Sequence, residues 1–534
     1  MRQAKERDIS AEGLREGWRS KGEEIGLTRE SIRETMGYKR QAPEGTVAIA
    51  KVEAALTAHA SHFDRRDVIQ AVAEGLPAGA PGAEVEELAD SFLALDDLIR
   101  IGESVKGERF TTRAIWELES GALRTAEQMA GSEGNAVANE LIVSRVLVSR
   151  PSLKDDQRAM VERLLGRGEG LVVVIGEAGS GKTYATATAA EGWARAGVDL
   201  RVAAPTWRAA NVLRSEGLEA TSVAGLLAEF ARKQSQGEAP LTSGSVLLVD
   251  EAGMVDSATL ARLIEHASAA DAKLVLIGDP AQLGEIEAGG IFASIADRVD
   301  PIRLDEVIRH RHELDREGAK RIREGDGGEA LGVYRSEGRV VVSDDAELRR
   351  EEMVRDWLAS YRRGEDALMI VKRNAEVEKL NALARAARKA EGQLGGPEIE
   401  VGEARFAVGD QVITRINDQR AEIYNRERWR VAEVDVESGS LVLDGIDTAR
   451  RVGADSVYLG RLRPRDEGPA IEHAYAATTY QAQGATVDRA YVMADPSMDR
   501  QEFYVAASRS REETYLYVTP EIQLEREEYA PRSP

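Results

Sequence analysis

Residues 176 to 183 read GEAGSGKT, and Gly176, Gly181, Lys182 and Thr183 complete the spacing G-x-x-x-x-G-K-[ST] directly after the apolar run LVVVI. These residue types in this order suit one task, the holding of a nucleoside triphosphate. Glycines let backbone N–H groups face phosphate oxygens, the lysine reaches the outer phosphates, and the Thr hydroxyl helps to hold Mg²⁺. The expected nucleotide contacts are Gly176, Ala178, Gly179, Ser180, Gly181, Lys182 and Thr183. Downstream, LLVDEAGM puts Asp250 and Glu251 at the end of a second apolar run. Asp250 is placed to contact Mg²⁺ directly or through the ion's bound water, and Glu251 to orient and activate an attacking water. A third stretch, LIGDPAQL, offers Gln282 as a sensor of the terminal phosphate. An Asp-Glu pair or a loop glutamine is ordinarily a solvated feature; the apolar run before each and the distance from the phosphate loop raise these above that background. A phosphate loop by itself leaves open what its energy is used for.

Such side chains need buried strands to hold them. Between 150 and 310, LVVVIG, DLRVAAPT, SVLLVDE, KLVLIGD and PIRLDEV alternate with helical patterns. Short, wholly apolar runs separated by helices imply a parallel sheet covered on both faces. A second α/β stretch spans 311–398 and resumes over 467–520, with GRVVVSD, DALMIVKRN, RAYVMAD and TYLYVTP as its strands. Between its halves, 399–466 alternates polar and apolar residues around Gly turns and reads as an inserted, SH3-like β-barrel. Residues 1–45 read as a charged helical leader, 46–149 as a helical or winged-helix-like domain, and 521–534 as a tail. The fold class expected is α/β, with two RecA-like P-loop domains.

In order, LKDDQ, GEAGSGKT, APTWRAA, VDEAGM, GDPAQL, LDEVIRH, YAATTYQAQGAT and YVAASRSRE resemble the motif set of superfamily 1 helicases over about 150–520. The set is most similar to the RecD-like branch, which includes the helicase modules of TraI- and TrwC-type (MobF) conjugative relaxases. FTTRAIWELESG resembles the segment that precedes the motor in those relaxases. The resemblance implies ATP bound between two domains and movement along one DNA strand. By motif, Gln157 binds the adenine edge, while Arg309 and Arg509 reach the γ-phosphate from the second domain. Phosphoryl transfer spreads negative charge that guanidinium groups stabilise, so two arginines there make chemical sense. Thr206 is an expected DNA contact, and Thr478, Thr479 and Gln483 are expected to contact DNA or to couple DNA with ATP, short hydroxyl and amide groups being suited to phosphate oxygens. Two departures stand out. Trp207 replaces a small residue and serves either to stack on a base or to pack against the sheet. Gly284-Glu285 replaces a proline pair, which removes the basis for a DNA contact in that loop. In the insertion, RINDQR, RERWR and RLRPR cluster arginines and Trp429 offers a stacking face.

The chain of 534 residues carries a net charge of −22, which excludes a histone-like coat protein but leaves room for a local basic groove. It has no cysteine, hence no disulfide framework, and no apolar run of membrane-spanning length. A soluble, cytoplasmic protein is expected. Relaxase nicking would need a tyrosine and a histidine cluster; His59, His62, His266, His310, His312 and His473 are not spaced to supply one. The chain therefore reads as a separated helicase portion or a stand-alone relative. The function expected is an ATP-dependent 5′→3′ helicase acting on single-stranded DNA and duplex junctions in conjugative transfer or plasmid processing, with a relaxase or the conjugation machinery as partner. The rival is an ATP-driven remodeller or loader that uses the same fold without unwinding.

Overall fold

The computed structural model describes residues 49–520 except 58–60, 77–78, 105–106, 134–137, 178, 283–290, 306–308 and 464–467. The charged leader, the tail, Ala178, His59 and the Gly284-Glu285 pair thus lie outside the described residues. The chain divides into two compact units, with the division after Thr112 rather than near 149.

In the smaller unit, helices Ile49–Thr57, Arg65–Glu74 and Gly82–Leu93 precede an antiparallel ladder of β1 (Leu98–Ser104) and β2 (Gly107–Thr112). Its core is Val52, Leu56, Phe63, Val68, Val72, Val85 and Phe92. The second helix starts where the sequence supplies a stop and a start together. Asp64 accepts from the N–H groups of Arg66 and Asp67, and the Asp67 carboxylate accepts from the Asp64 N–H. This reciprocal cap satisfies donors that the first turn leaves unpaired.

The larger unit holds two parallel sheets. The first comprises β3 (Leu171–Gly176), β4 (Leu200–Ala204), β5 (Ala220–Ser222), β6 (Val246–Val249), β7 (Lys273–Gly278) and β8 (Ile302–Leu304), in the order β5-β4-β6-β7-β3-β8. Every neighbouring pair is parallel. The wholly apolar runs are explained by the two cores that flank this sheet. Leu171, Val173 and Ile175 enter one, while Val172 and Val174 enter the other. Leu247 and Val249 against Val246 and Leu248, and Leu274 and Leu276 against Val275 and Ile277, divide in the same way. Period-2 alternation is present in the geometry and invisible in the letters, because both faces are dry.

The second domain opens with helix Glu313–Glu324, packed on its sheet through Ala319 and Ile322, and its first strands are β9 (Val340–Val342) and β10 (Ala367–Val371). The chain then leaves for β11 (Gly395–Val401) and β12 (Ala404–Val408), which pair with each other, and for β13 (Gln411–Thr414), β14 (Arg428–Asp435), β15 (Ser440–Gly445), β16 (Arg451–Ala454) and β17 (Ile471–His473). These last five form one antiparallel sheet, β16-β15-β14-β13-β17, so it reaches past residue 466. The chain returns through β18 (Ala476–Thr478), β19 (Val487–Met493) and β20 (Ser510–Val518) to complete a parallel sheet, β18-β10-β19-β20-β9. Both sheets with their helices have the architecture of RecA-like P-loop domains. Among the described residues no helix is long and apolar enough to cross a membrane.

Candidate functional site at the seam of the two parallel sheets

The phosphate loop leaves β3 at Gly176 and enters helix Lys182–Arg195. Two glycines are required by space. A Cβ on Gly176 would lie 2.5 Å from the Lys182 Cγ, and one on Gly179, at φ +86°, would lie 2.2 Å from the Arg309 Cβ. Lys182 is buried, and its Nζ donates to the carbonyls of Gly176 at 2.7 Å and Glu177 at 3.4 Å. The Ser180 Oγ is buried and has no partner among the described residues. Gln157 is only 1% exposed. Its Nε2 donates to the Ser180 carbonyl at 2.8 Å and its Oε1 accepts from the Lys154 N–H at 3.1 Å, so the amide braces the phosphate loop.

β6 delivers Asp250 and Glu251. The Asp250 carboxylate is buried and accepts from the Glu251 N–H at 3.0 Å. Burial, and then the Glu251 charge beside it, push the Asp250 carboxyl well above the ordinary range. Glu251 itself sits at φ +50°, ψ +39°, a left-handed conformation uncommon for a side-chain-bearing residue, and such strain gathers at functional sites. Gln282 is buried at the end of β7, its Nε2 donating to Asp279 Oδ2 at 3.3 Å.

Arg309 and Arg509 meet here. The Arg309 N–H donates to the Gly179 carbonyl at 3.0 Å, which fixes that arginine against the phosphate loop. Its Nη1 donates to the Ser508 carbonyl at 3.0 Å, and Arg509 Nη2 donates to the Ser508 Oγ at 2.8 Å. Burial, and then the neighbouring Arg309, pull the Arg509 guanidinium down to about 9; burial likewise lowers Arg309. Among the described residues neither makes an ion pair. Two desolvated guanidiniums, an orphaned serine hydroxyl and a buried carboxylate short of cations form a site short of one polyanion and one divalent cation. MgATP supplies both, so the residues present fit it.

Sequence reasoning missed Arg323, in the last turn of helix Glu313–Glu324, where a basic residue passes for a surface complement to the helix dipole. It binds the Glu177 carboxylate and, at 3.1 Å, the Asp279 carboxylate. Only the fold brings these three together.

The expected DNA contacts separate. Thr206 caps helix Trp207–Ser215, its Oγ1 accepting from the Ala209 N–H at 3.2 Å. Thr478 forms a reciprocal cap with Gln481. Gln483 keeps a buried Nε2 without a partner among the described residues. Thr479 requires a correction as a direct contact: it is 1% exposed with its Oγ1 donating to the Val371 carbonyl at 3.5 Å, so it anchors the turn to β10, and only the coupling role stays open to it. Trp207 packs, its ring stacked on Tyr424 of the insertion at 5.8 Å and 21°. Trp429 is a second correction. It is 1% exposed inside the insertion's core, with Nε1 donating to Thr414 Oγ1 at 3.3 Å. Several of the insertion's arginines are also paired internally: Arg450 with Glu427 at 2.7 Å, Arg461 with Asp418 at 2.9 Å, and Arg463 with Glu472 at 2.9 Å. Arg428 is buried between Asp366 and Asp447. A cavity of about 1010 Å³ lies where the insertion, the second domain and helix Trp207–Ser215 meet, with Arg208, Arg428, Arg430 and Arg511 in its wall.

Residues 152–345 match the AAA domain family. The chain is 32% identical over 413 residues to the probable conjugal transfer protein TraA of Sinorhizobium fredii, covering 77% of this chain and 36% of TraA. It is 28% identical to the RecBCD enzyme subunit RecD of Mycolicibacterium smegmatis, covering 67% and 69%. Against the multifunctional conjugation protein TraI of Escherichia coli the identity is 30% over 209 residues, covering 38% and 12%. Among solved structures, Pif1 helicase from Candida albicans aligns with a TM-score of 0.46 at 17% identity, covering 69% and 94%. The chain spans about a third of the length of the TraA proteins it matches. In motif order and in sequence the motor region is similar to the conjugal transfer protein TraA and to the RecD subunit, as the resemblance to RecD-like superfamily 1 helicases implies.

Proposed function

We propose that this chain hydrolyses ATP and uses it to move 5′→3′ along single-stranded DNA, opening duplex ahead of it in conjugative DNA processing. The observation that carries this reading is the meeting of Arg309 and Arg509 with the phosphate loop at the seam of two parallel sheets. The relatives named for conjugal transfer and the RecBCD subunit support the setting. A relaxase or other conjugation protein is the partner this reading implies.

In hydrolysis, water oxygen bonds to the terminal phosphorus, the bridging oxygen departs with the diphosphate, and the water's proton passes to Glu251. Lys182 and the two guanidiniums carry the charge that develops on the phosphate oxygens, in a site dry enough for them to count. Thr183 and Asp250 would hold Mg²⁺, which would supply positive charge against the phosphates. Gln282 reports the terminal phosphate to the second domain through Asp279. Because Arg309 bonds both the Gly179 carbonyl of the phosphate loop and the Ser508 carbonyl beside Arg509, any strand that draws the domains together also completes the site.

Single-stranded DNA should therefore raise ATP turnover by about tenfold or more. Turnover equally fast with and without strands would favour the remodeller, and stimulation by RNA but not DNA would move the substrate to RNA.

A further inference from the structure

Asp279, at the end of β7, is a junction. Its side chain is wholly buried. Oδ1 accepts from the Ala281 N–H at 3.0 Å and from Arg323 Nη2 at 3.1 Å. Oδ2 accepts from Gln282 Nε2 at 3.3 Å and from the Tyr504 hydroxyl at 3.4 Å. Arg323 and Tyr504 both belong to the second domain, on helices Glu313–Glu324 and Arg500–Ala507. Two of its helices thus converge on one first-domain carboxylate. The other arm of Arg323 holds Glu177, one residue past β3 and inside the phosphate loop. Gln501, on the Tyr504 helix, adds a bond to the Pro280 carbonyl at 3.4 Å.

The path continues to the arginine pair. The residue after Tyr504, Val505, accepts from Arg509 Nε at 2.7 Å, and the Tyr504 carbonyl accepts from the Ser508 N–H at 3.0 Å. Whatever fixes Tyr504 against Asp279 also fixes the turn that carries Arg509. A planar guanidinium can hold two carboxylates at set angles, which an ammonium cannot. With Arg323 21% exposed and its partners 15% and 0%, the bridge is screened far less than a surface ion pair.

We propose that Arg323 is a positioning residue that clamps the phosphate loop and the Gln282 strand end to the second domain. It thereby sets where Arg509 stands when a strand stimulates turnover. The proposal rests on the ATP-hydrolysing reading above and adds to it a residue that no motif supplies. Arg323 acts on the carboxylates, and through them on the reacting groups, without touching phosphate.

The test uses the full chain. Arg323→Gln should lower strand-stimulated kcat by about tenfold and leave the KM for ATP within about twofold, with Arg323→Lys in between. Arg323→Glu should be worse, and adding Glu177→Arg should restore turnover to within about threefold of the parent, because the exchanged pair again sets opposite charges across the seam and gives Asp279 a guanidinium partner. A second readout is independent of activity. The chain has no cysteine, so spin labels at Ser268→Cys and Glu351→Cys, both exposed and in different domains, report the interdomain distance alone. That distribution should be narrow in the parent and broad in Arg323→Gln. A parent without ATPase would defeat the functional reading while leaving the distance test in force. Strand-stimulated kcat within twofold of the parent in Arg323→Gln, or an unchanged distance distribution, would overturn the proposal. So would a charge swap that melts like the parent yet recovers nothing, since Arg323 would then act on the nucleotide itself.

Discussion

Lys182 and Glu251 make separable contributions. Lys182→Ala removes the cation that fills the phosphate loop and should abolish turnover. Glu251→Gln keeps shape and hydrogen bonding but cannot take a proton, so it should bind ATP like the parent while turnover falls by about 10²- to 10⁴-fold. Equilibrium binding of a fluorescent ATP analogue beside a phosphate-release assay separates the two, and substantial turnover in Glu251→Gln would mean another carboxylate is the base. His310 gives a pH signature at the same site. Burial, and then Arg309, Arg509 and Arg316, hold its imidazole down to about 3. The folded form therefore keeps it neutral while the unfolded chain protonates it below about 6.5. Its contribution is full above that pH and is lost as pH falls from about 6.5 toward 3, amounting to up to about 2 kcal/mol at pH 5. His310→Gln should flatten the fall in Tm between pH 6.5 and 5 relative to the parent, and parallel curves would contradict this. At this scale the sequence was legible where spacing alone implies chemistry, as in the phosphate loop and Asp250-Glu251. It was silent on Arg323, whose partners lie 146 and 44 residues away. It misled at Thr479 and Trp429, because a polar or aromatic letter does not say which way the side chain faces.

Among the described residues, the antiparallel insertion supplies none to the nucleotide site. Its register shows how to remove it. Thr414 of β13 and Ile471 of β17 are direct antiparallel partners, so a short turn can join them and leave a two-stranded ladder. A cut at 399 would be harmful, since the buried Arg388 donates to the Gly409 carbonyl and Arg385 pairs with Asp410. Replacing 415–470 with a short Gly-Ser turn should leave strand-stimulated ATPase largely intact and sharply reduce strand displacement. Equal unwinding by a folded deletion variant would reduce the insertion to a tolerated excursion. The element that joins it to the motor is Arg428, held by Asp366 at 2.9 Å and by Asp447. Arg428→Ala leaves Asp366 without its guanidinium partner and Asp447 with Arg208 at 3.7 Å, and should lower stability by about 3 kcal/mol in a denaturant titration. Unfolding at the parent's midpoint would show the pair to be idle. The alternation in 399–466 announced antiparallel strands. Its arginines suggested a DNA groove, yet several are matched by local acids that the sequence places at scattered distances.

Across the whole molecule, two parallel sheets were readable because each strand is dry on both faces and so appears as an unbroken apolar run. Their meeting was implied by the motif resemblance and by no local pattern: the seam is made by Arg309 against Gly179, Tyr504 and Arg323 against Asp279, and Arg208 against the Gln481 carbonyl at 3.3 Å, contacts that span 44 to 273 residues. A body with net charge −22 that holds a strand must do so in a restricted path, and its binding should weaken steeply with salt. The central claim is that closure of this seam drives directed movement on one strand. The most direct measurement is ATP-dependent strand displacement on two otherwise identical duplexes, one with a 5′ single-stranded tail and one with a 3′ tail. The 5′-tailed duplex should open and the 3′-tailed duplex stay paired, with Glu251→Gln opening neither. Opening of the 3′-tailed duplex instead, or hydrolysis with no opening of either, would contradict it.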